Sequence, residues 1–176
     1  MFAGSTLGLI RGALLVVVLT LACASDLRTR RIPNGLVALL AVAGLALSAV
    51  SSPWISGVMR AVAGLGTGFA IWLPLYVLGV VGAGDVKLFA AASTFLGPRS
   101  AAEASLYTAL YGGVVALLFM LTRSGWLETV LRLSHSIQQP SLLRLDGSPK
   151  SRRLPYALAI AAGVVTAALW PGHILA

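Results

Sequence analysis

Charge is scarce in this sequence, and acidic charge most of all: of 176 residues only 10% are Asp, Glu, Lys or Arg, and just five are Asp or Glu. A soluble domain of this length carries charge on roughly a quarter of its residues to clothe its surface, so a water-soluble globule is excluded. Cysteine is nearly absent. The single Cys23 rules out an intramolecular disulfide and any zinc site built from several thiolates. Aromatic residues make up 7% of the chain, and the basic residues do not interleave with them in a stripe. Nucleic acid is therefore not an expected partner, although the net charge is +8. The only histidines, His135 and His173, lie outside any pattern and receive no role.

What the sequence has in abundance is apolar residues, 58% of the chain. They fall in six blocks: roughly Leu7 to Ser25, Gly35 to Val50, Ala61 to Val81, Val86 to Leu96, Ala101 to Leu121, and Leu154 to Leu169. Lipid offers no water to exposed backbone groups, so each block is expected to be a helix. The fold class implied is an all-α, polytopic integral membrane protein of about six transmembrane helices. The third and fifth blocks hold 21 residues each, which is about 31 Å of helix and enough to cross a bilayer. The fourth block, Val86 to Leu96, rises only about 17 Å. It must either continue through Gly97-Pro98-Arg99 or be preceded by a loop that starts below the membrane surface.

The lysines and arginines set an orientation. Alternating loops place Arg28, Arg30, Arg31, Lys87, Arg123, Arg132, Arg144, Lys150, Arg152 and Arg153 on one side, and Arg11, Arg60 and Arg99 on the other. The first side is expected to be cytoplasmic, with both termini outside the cytoplasm. One long loop, at about 122–153, then lies inside. Within it Trp126, Val130, Leu133 and Ile137 recur at helical spacing, as in an amphipathic interfacial helix or a solvated loop helix, which the spacing fits equally. Residues Leu21-Ala22-Cys23-Ala24 imitate a secretory cleavage site, but five more apolar blocks come after it and the stronger flanking charge lies on the C-terminal side of the block. The first block is expected to be retained, and residues 1–176 to form one membrane-embedded domain.

Small residues mark where helices approach closely. Gly64 and Gly68 form a small-xxx-small pair in the third block, and Ser105, Ala109 and Gly113 repeat that spacing in the fifth. Pro74 is expected to bend the third block near Trp72 and Tyr76. Cys23, one turn before Asp26, is read as a side chain facing lipid or a neighbouring helix.

Two of the few acidic residues, Asp26 and Asp85, sit at ends of apolar blocks, where carboxylates are costly. Parity of the spans puts both on the cytoplasmic side, so they can meet. Paired carboxylates are a sufficient apparatus for peptide hydrolysis: one accepts a proton from water while the other, kept protonated by its neighbour, hydrogen-bonds the carbonyl. A plainer account is available for each. Asp85 comes after Gly82-Ala83-Gly84 and could be the N-cap of the fourth helix, and Asp26 could pair with Arg28 and Arg30. In the catalytic reading the helix dipoles favour Asp85 as the base and Asp26, at the C-terminal end of its helix, as the acid; Arg28 and Arg30 argue the other way by stabilising an ionised Asp26, so both assignments stay open for a coupled pair.

Three runs carry a resemblance that goes further. Asp26-Leu27-Arg28-Thr29-Arg30-Arg31-Ile32-Pro33-Asn34, Gly82-Ala83-Gly84-Asp85-Val86-Lys87-Leu88, and the run beginning Leu154-Pro155-Tyr156-Ala157-Leu158 resemble, in order, the three signatures of type IV prepilin peptidases. The G-x-G-D element alone is shared with other membrane aspartic proteases. The resemblance implies endoproteolytic removal of a short basic leader from a pilin precursor, with Asp26 and Asp85 catalytic. It also marks Gly82, Gly84, Lys87, Pro33, Asn34, Pro155 and Tyr156 as motif residues; the two glycines would let the substrate backbone approach Asp85. Many members of the family also methylate the new terminus with S-adenosylmethionine and carry a cytoplasmic segment with zinc-binding cysteine pairs. Here Asp26 to Gly35 is a tight loop with no such segment. The sequence resembles the short form of tight-adherence (Flp-type) pilus systems, for which no cofactor or metal is expected. The expected partners are a prepilin substrate and the bilayer. The third run departs from the family in having Ala157-Leu158 where Gly-Pro is frequent. Three rival readings are a related G-x-G-D protease with another substrate, a non-catalytic pilus-assembly component, and a small transporter; a transporter would place its charges near the bilayer midplane within repeats.

Overall fold

A computed structural model describes residues 6–51, 53–121 and 156–170. The loop at 122–153, with its candidate interfacial helix and His135, lies outside these residues, as do Pro155 and His173. Six helices make up the described chain: α1 (Thr6–Thr29), α2 (Asn34–Ser51), α3 (Trp54–Val77), α4 (Ala83–Leu96), α5 (Pro98–Leu121) and α6 (Tyr156–Leu169). No strand occurs among the described residues. Thr6–Thr29, Trp54–Val77 and Pro98–Leu118 are long and apolar enough to cross a membrane, and Asn34–Val50 and Tyr156–Leu169 are shorter apolar helices. The protein is all-α and built as a polytopic membrane protein. The chain divides into two compact units, Met1–Gly112 with Pro155–Ala176, and Gly113–Leu154. The second unit is described only through the last turns of α5, and the packing around α4 belongs to the first.

Helix ends are set by local chemistry that hydropathy does not register. α3 ends with Gly79 at φ 75°, while Val80 N–H donates to the Leu75 carbonyl and Gly79 N–H to the Tyr76 carbonyl, each at 2.9 Å. This is the Schellman arrangement, in which glycine supplies the left-handed residue, and it stops the helix before the apolar run ends. α1 closes differently. Arg30 takes φ 53° and its N–H donates to the Asp26 carbonyl at 2.8 Å, a left-handed cap on a residue that has a Cβ. The Ser25 and Thr29 hydroxyls both donate to the Arg31 carbonyl, which holds the turn after Asp26 in place.

α4 is the centre of the unit. Its 14 residues rise about 21 Å, short of a hydrocarbon core of about 30 Å, and the helix is enclosed by protein: Val86 and every residue from Leu88 to Leu96 are buried. The chain does not run on through Gly97, whose φ of 82° ends the helix and lets Pro98 begin α5 at the position where a missing N–H costs nothing. At this end Arg60 Nη2 donates to the Leu96 carbonyl at 3.1 Å, satisfying one of the last carbonyls of α4 with a cation. Arg11 donates to Ser48 at 2.8 Å, and the fully buried Glu103 has Arg99 at 3.8 Å.

Enclosure requires close approach. A Cβ on Gly64 would meet the Ser93 carbonyl and the Gly97 backbone, one on Gly68 would meet the Ser93 side chain and Phe89, and one on Gly44 would meet Thr94 and Phe95. The Gly64 and Gly68 pair therefore packs α3 on α4 as expected. In α5 the expected line of Ser105, Ala109 and Gly113 is displaced. Ala109 and Gly113 are exposed, and the packed face runs through Ala101, Ala104, Ser105, Thr108 and Gly112. The reason is partner geometry: Thr108 fills the space over Gly163 of α6, and Gly112 that beneath Tyr156.

Gly64→Ala should lower stability by about 1–3 kcal/mol, because the added methyl meets backbone that cannot give way. Gly66→Ala, with nothing within 4 Å, should be neutral or gain roughly 0.5–1 kcal/mol from helix propensity. Thermal unfolding of the two purified variants in the same detergent checks the contrast.

Candidate active site

Asp26 occupies the last turn of α1 and is half-buried. Its carboxylate interacts with the backbone amide of Ala157, in the first turn of α6, and with the Arg30 guanidinium. Arg28, the other candidate ion-pair partner, is exposed. Asp26 Oδ2 is buried and has no hydrogen-bond partner among the described residues. Buried polar oxygens are nearly always paired, so an unpaired one calls for an explanation, and catalysis is one.

Asp85 lies in the first turn of α4, but not as the N-cap. Gly82 is the N-cap, and Asp85 is the third helical residue, whose Oδ2 accepts the Gly82 N–H at 3.1 Å. This is the carboxylate half of a capping box. Gly82 has no side chain to return the bond, so the box is one-sided and the carboxylate holds the Gly82 N–H alone. Asp85 and Gly82 are both partly buried, and Tyr156 lies within electrostatic reach of Asp85.

Asp26 thus bonds to the Ala157 amide, and Asp85 lies within electrostatic reach of the adjacent residue, Tyr156. A third contact ties α1 to the same peptide. The Cys23 thiol, buried, donates to the Ala157 carbonyl at 3.3 Å. Cys23 and Asp26 are three apart and share a face of α1, so one helix face addresses both the N–H and the carbonyl of Ala157. The cysteine faces a helix, not lipid. Its place in the sequence assigns it no role, and only the pairing of α1 with α6 reveals one.

The remaining motif residues are placed differently. Ile32, in the loop after α1, packs over Gly84: a Cβ there would meet Ile32 carbon atoms at 3.6 to 3.8 Å, ordinary van der Waals contact. The first and second runs therefore touch. Pro33 and Asn34 open α2, with the Pro33 carbonyl accepting from Leu36 and Val37, and both are exposed. Lys87 is exposed as well, two residues from Asp85 and so on a different face of α4. Trp72, which the sequence marks only by its nearness to Pro74, is buried and stacks on Phe89. Among the described residues no three His, Cys, Asp or Glu side chains converge as metal ligands.

Because Cys23 is sealed against Ala157, a maleimide dye should label the native protein at less than about a tenth of its rate on the unfolded chain, a protection set by local opening. Comparable rates would mean that the α1 and α6 seam is open. Gly84→Ala should leave the amount of folded protein unchanged, since the methyl only touches Ile32. Any loss of activity in that variant, read at matched enzyme levels, would report room needed by a substrate.

The family model described as "Type IV leader peptidase family" matches residues 13–121. No curated protein matches the chain, and no solved structure does. The matched stretch takes in both aspartates and runs from α1 to the end of α5. Because it spans more than half of the 176 residues, the chain belongs to the type IV leader peptidase family.

Proposed function

We propose that this protein is a membrane aspartic endopeptidase that removes the short basic leader from Flp-type prepilins at the cytoplasmic membrane face. The observation that carries the reading is that Asp26 bonds to Ala157 in the first turn of α6 while Asp85, at the tip of α4, lies within electrostatic reach of the same turn at Tyr156. Membership in a leader peptidase family accounts for the peptide substrate. The cytoplasmic assignment rests on Arg28, Arg30, Arg31 and Lys87 flanking the aspartate end, as the positive-inside rule requires. The tight connection from Asp26 to Asn34, where α2 begins, supports the short form of the enzyme without methylation.

In this mechanism a water between the carboxylates attacks the scissile carbonyl. Asp85 accepts a proton from that water, and its position at the N-terminal end of α4, anchored by the Gly82 N–H, suits the anion. Asp26 carries the pair's single proton and donates it toward the carbonyl oxygen as the tetrahedral intermediate forms. Collapse of the intermediate breaks the C–N bond: the proton gained by Asp85 passes to the departing amine, and the proton on the former carbonyl oxygen returns to Asp26 as the C=O reforms, after which the new acid ionises. The leader is released with a new carboxylate and the mature pilin with a new N-terminus. Since a basic leader gains nothing from a basic enzyme surface, affinity comes from packing of the precursor's apolar helix in the bilayer and from the aspartates.

Co-expression with an Flp-type prepilin tests this by mobility shift. Asp26→Asn and Asp85→Asn should each reduce cleavage by about a thousandfold or more, as expected when one member of a unit that acts jointly is lost. Processing retained in either variant at matched enzyme levels returns that aspartate to a structural role, and retention in both favours a non-catalytic component of pilus assembly.

A further inference from the structure

Asp26 is carried by α1 and Asp85 by α4, two helices whose main packing partners differ: α4 lies against Gly44 of α2 and Gly64 and Gly68 of α3, whereas α1 is tied to α6 by Cys23. Two carboxylates that share one proton work only at a fixed separation. The Asp26 end of α1 must therefore be held to the Asp85 end of α4. At the far end of the same helices the link is polar, running from Arg11 through Ser48 to the Thr94 carbonyl at 2.8 and 3.4 Å. At the aspartate end it is an apolar side chain. Ile32 is the one residue from Leu27 to Gly35 that is not exposed, and it packs against the buried core.

The turn directly after Asp26 fixes Ile32 to α1. The Arg30 N–H donates to the Asp26 carbonyl at 2.8 Å, with φ at 53°, which sets the direction in which the chain leaves the helix. The Arg31 carbonyl, in the peptide that leads into Ile32, accepts from the Ser25 hydroxyl at 3.0 Å and from the Thr29 hydroxyl at 3.2 Å. Pro33 confines Ile32 to an extended backbone, and its own carbonyl accepts from Leu36 and Val37 in the first turn of α2. The backbone on either side of Ile32 is therefore bonded to a helix. What its side chain rests on is equally specific. A Cβ on Gly84 would lie 3.6 Å from Ile32 Cβ, 3.7 Å from Cδ1 and 3.8 Å from Cγ1, so the isoleucine lines the space over the residue before Asp85. Gly84 belongs to the same first turn of α4, whose cap the Asp85 carboxylate holds through the Gly82 N–H. One path thus leads from Asp26 through Ile32 to Asp85, and each step in it is a bond or a van der Waals contact.

We propose that Ile32 is a positioning residue for the aspartate pair: its side chain, seated on Gly84, sets the separation at which Asp26 and Asp85 face one another. It acts through the two turns that it joins and touches neither substrate nor the reacting atoms. The inference rests on the peptidase reading of the pair. It gives the turn after Asp26 a part in the reaction, where a polar connection between two membrane helices would need no isoleucine.

The test uses purified protein and an Flp-type prepilin, with kcat and KM measured separately per folded enzyme and folding tracked by thermal unfolding. Ile32→Ala removes the carbons beyond Cβ and should lose roughly 10- to 100-fold in kcat with KM within about twofold of wild type, since a misplacement of about 1 Å costs on the order of a hundredfold. Ile32→Val, which keeps Cβ and its branch, should recover kcat to within about threefold of wild type. A second arm restores the contact covalently. The 3.6 Å between Ile32 Cβ and a Cβ on Gly84 suits a disulfide, so Ile32→Cys/Gly84→Cys should cross-link under mild oxidant. The cross-linked enzyme should turn over about tenfold faster than its own dithiol form, the gain expected when the two turns are held in register again. Wild-type kcat in folded Ile32→Ala overturns the inference, and so does a raised KM at unchanged kcat, which would make Ile32 a substrate contact. Failure to cross-link, equal rates in the two redox forms, or a faster dithiol overturns it too; a faster dithiol would make Ile32 a lid that the substrate displaces. If wild type itself leaves the precursor uncut while folded, the peptidase reading fails and takes this inference with it. If wild type cuts, Asp26→Asn and Asp85→Asn do not, and Ile32→Ala matches wild type, only the positioning role is lost.

Discussion

The shortness of α4 is the constraint on which the rest of the molecule depends. A helix of 14 residues leaves at least one of its ends within hydrocarbon, where every free N–H or carbonyl costs several kcal/mol. Both ends of α4 are accordingly finished by side chains that arrive with charge: the Asp85 carboxylate on the Gly82 N–H, and the Arg60 guanidinium on the Leu96 carbonyl. The same carboxylate that completes the helix is thereby held at its tip. Solving the backbone problem and placing a candidate catalytic group are one act.

A helix that cannot reach the membrane surfaces must also be wrapped, and wrapping sets the composition of its neighbours. Gly44 of α2 and Gly64 and Gly68 of α3 bring those backbones against Ser93, Thr94 and Phe95, while the Ser93 and Thr94 hydroxyls return their hydrogen bonds to α4's own carbonyls, those of Phe89 and Ala91. Polar atoms are thus buried without an open valence, and van der Waals contact, the main force available between helices in lipid, is maximised. The apolar side chains on the outer surfaces, such as Leu9, Val42, Met59 and Leu110, are exposed, as a lipid-facing surface requires.

Hydropathy measures local composition, and that decides how much of this architecture is legible in the sequence. The six blocks, the aspartates at their ends and the α3 glycine pair are legible, because each leaves a local mark. Helix ends are not: the third apolar block spans Ala61 to Val81, whereas α3 begins at Trp54, takes in the charged Arg60, and is stopped by the Gly79 cap. Asp85 reads as a possible N-cap because capping and the third helical position share the same residue types, and only the Gly82 contact separates them. The α5 packing line is misread since small residues occur all round that helix and Thr108, opposite Gly163, does not count as one. The partner of Cys23 escapes sequence reading for a different reason. Ala157 is remote in sequence until the fold sets α6 against α1.

The arrangement also revises the electrostatic contrast between the aspartates. From sequence, Asp26 sits at the unfavourable C-terminal end of one helix and Asp85 at the favourable N-terminal end of another. The fold adds α6, whose first turn brings the Ala157 amide to Asp26, so each carboxylate faces the positive end of a helix. The difference lies in which helix. Asp85 is anchored by a residue three positions back, at the cap of its own helix, and keeps that partner however the bundle flexes. Asp26 depends on a separate helix, held to α1 through the Cys23 and Ala157 contact. A substrate helix that wedges between α1 and α6 would therefore change the surroundings of Asp26 and leave those of Asp85 nearly constant. One member of the pair is fixed and the other responsive, and in the proposed mechanism that division would suit Asp85 to take the proton from water and Asp26 to answer the arriving carbonyl.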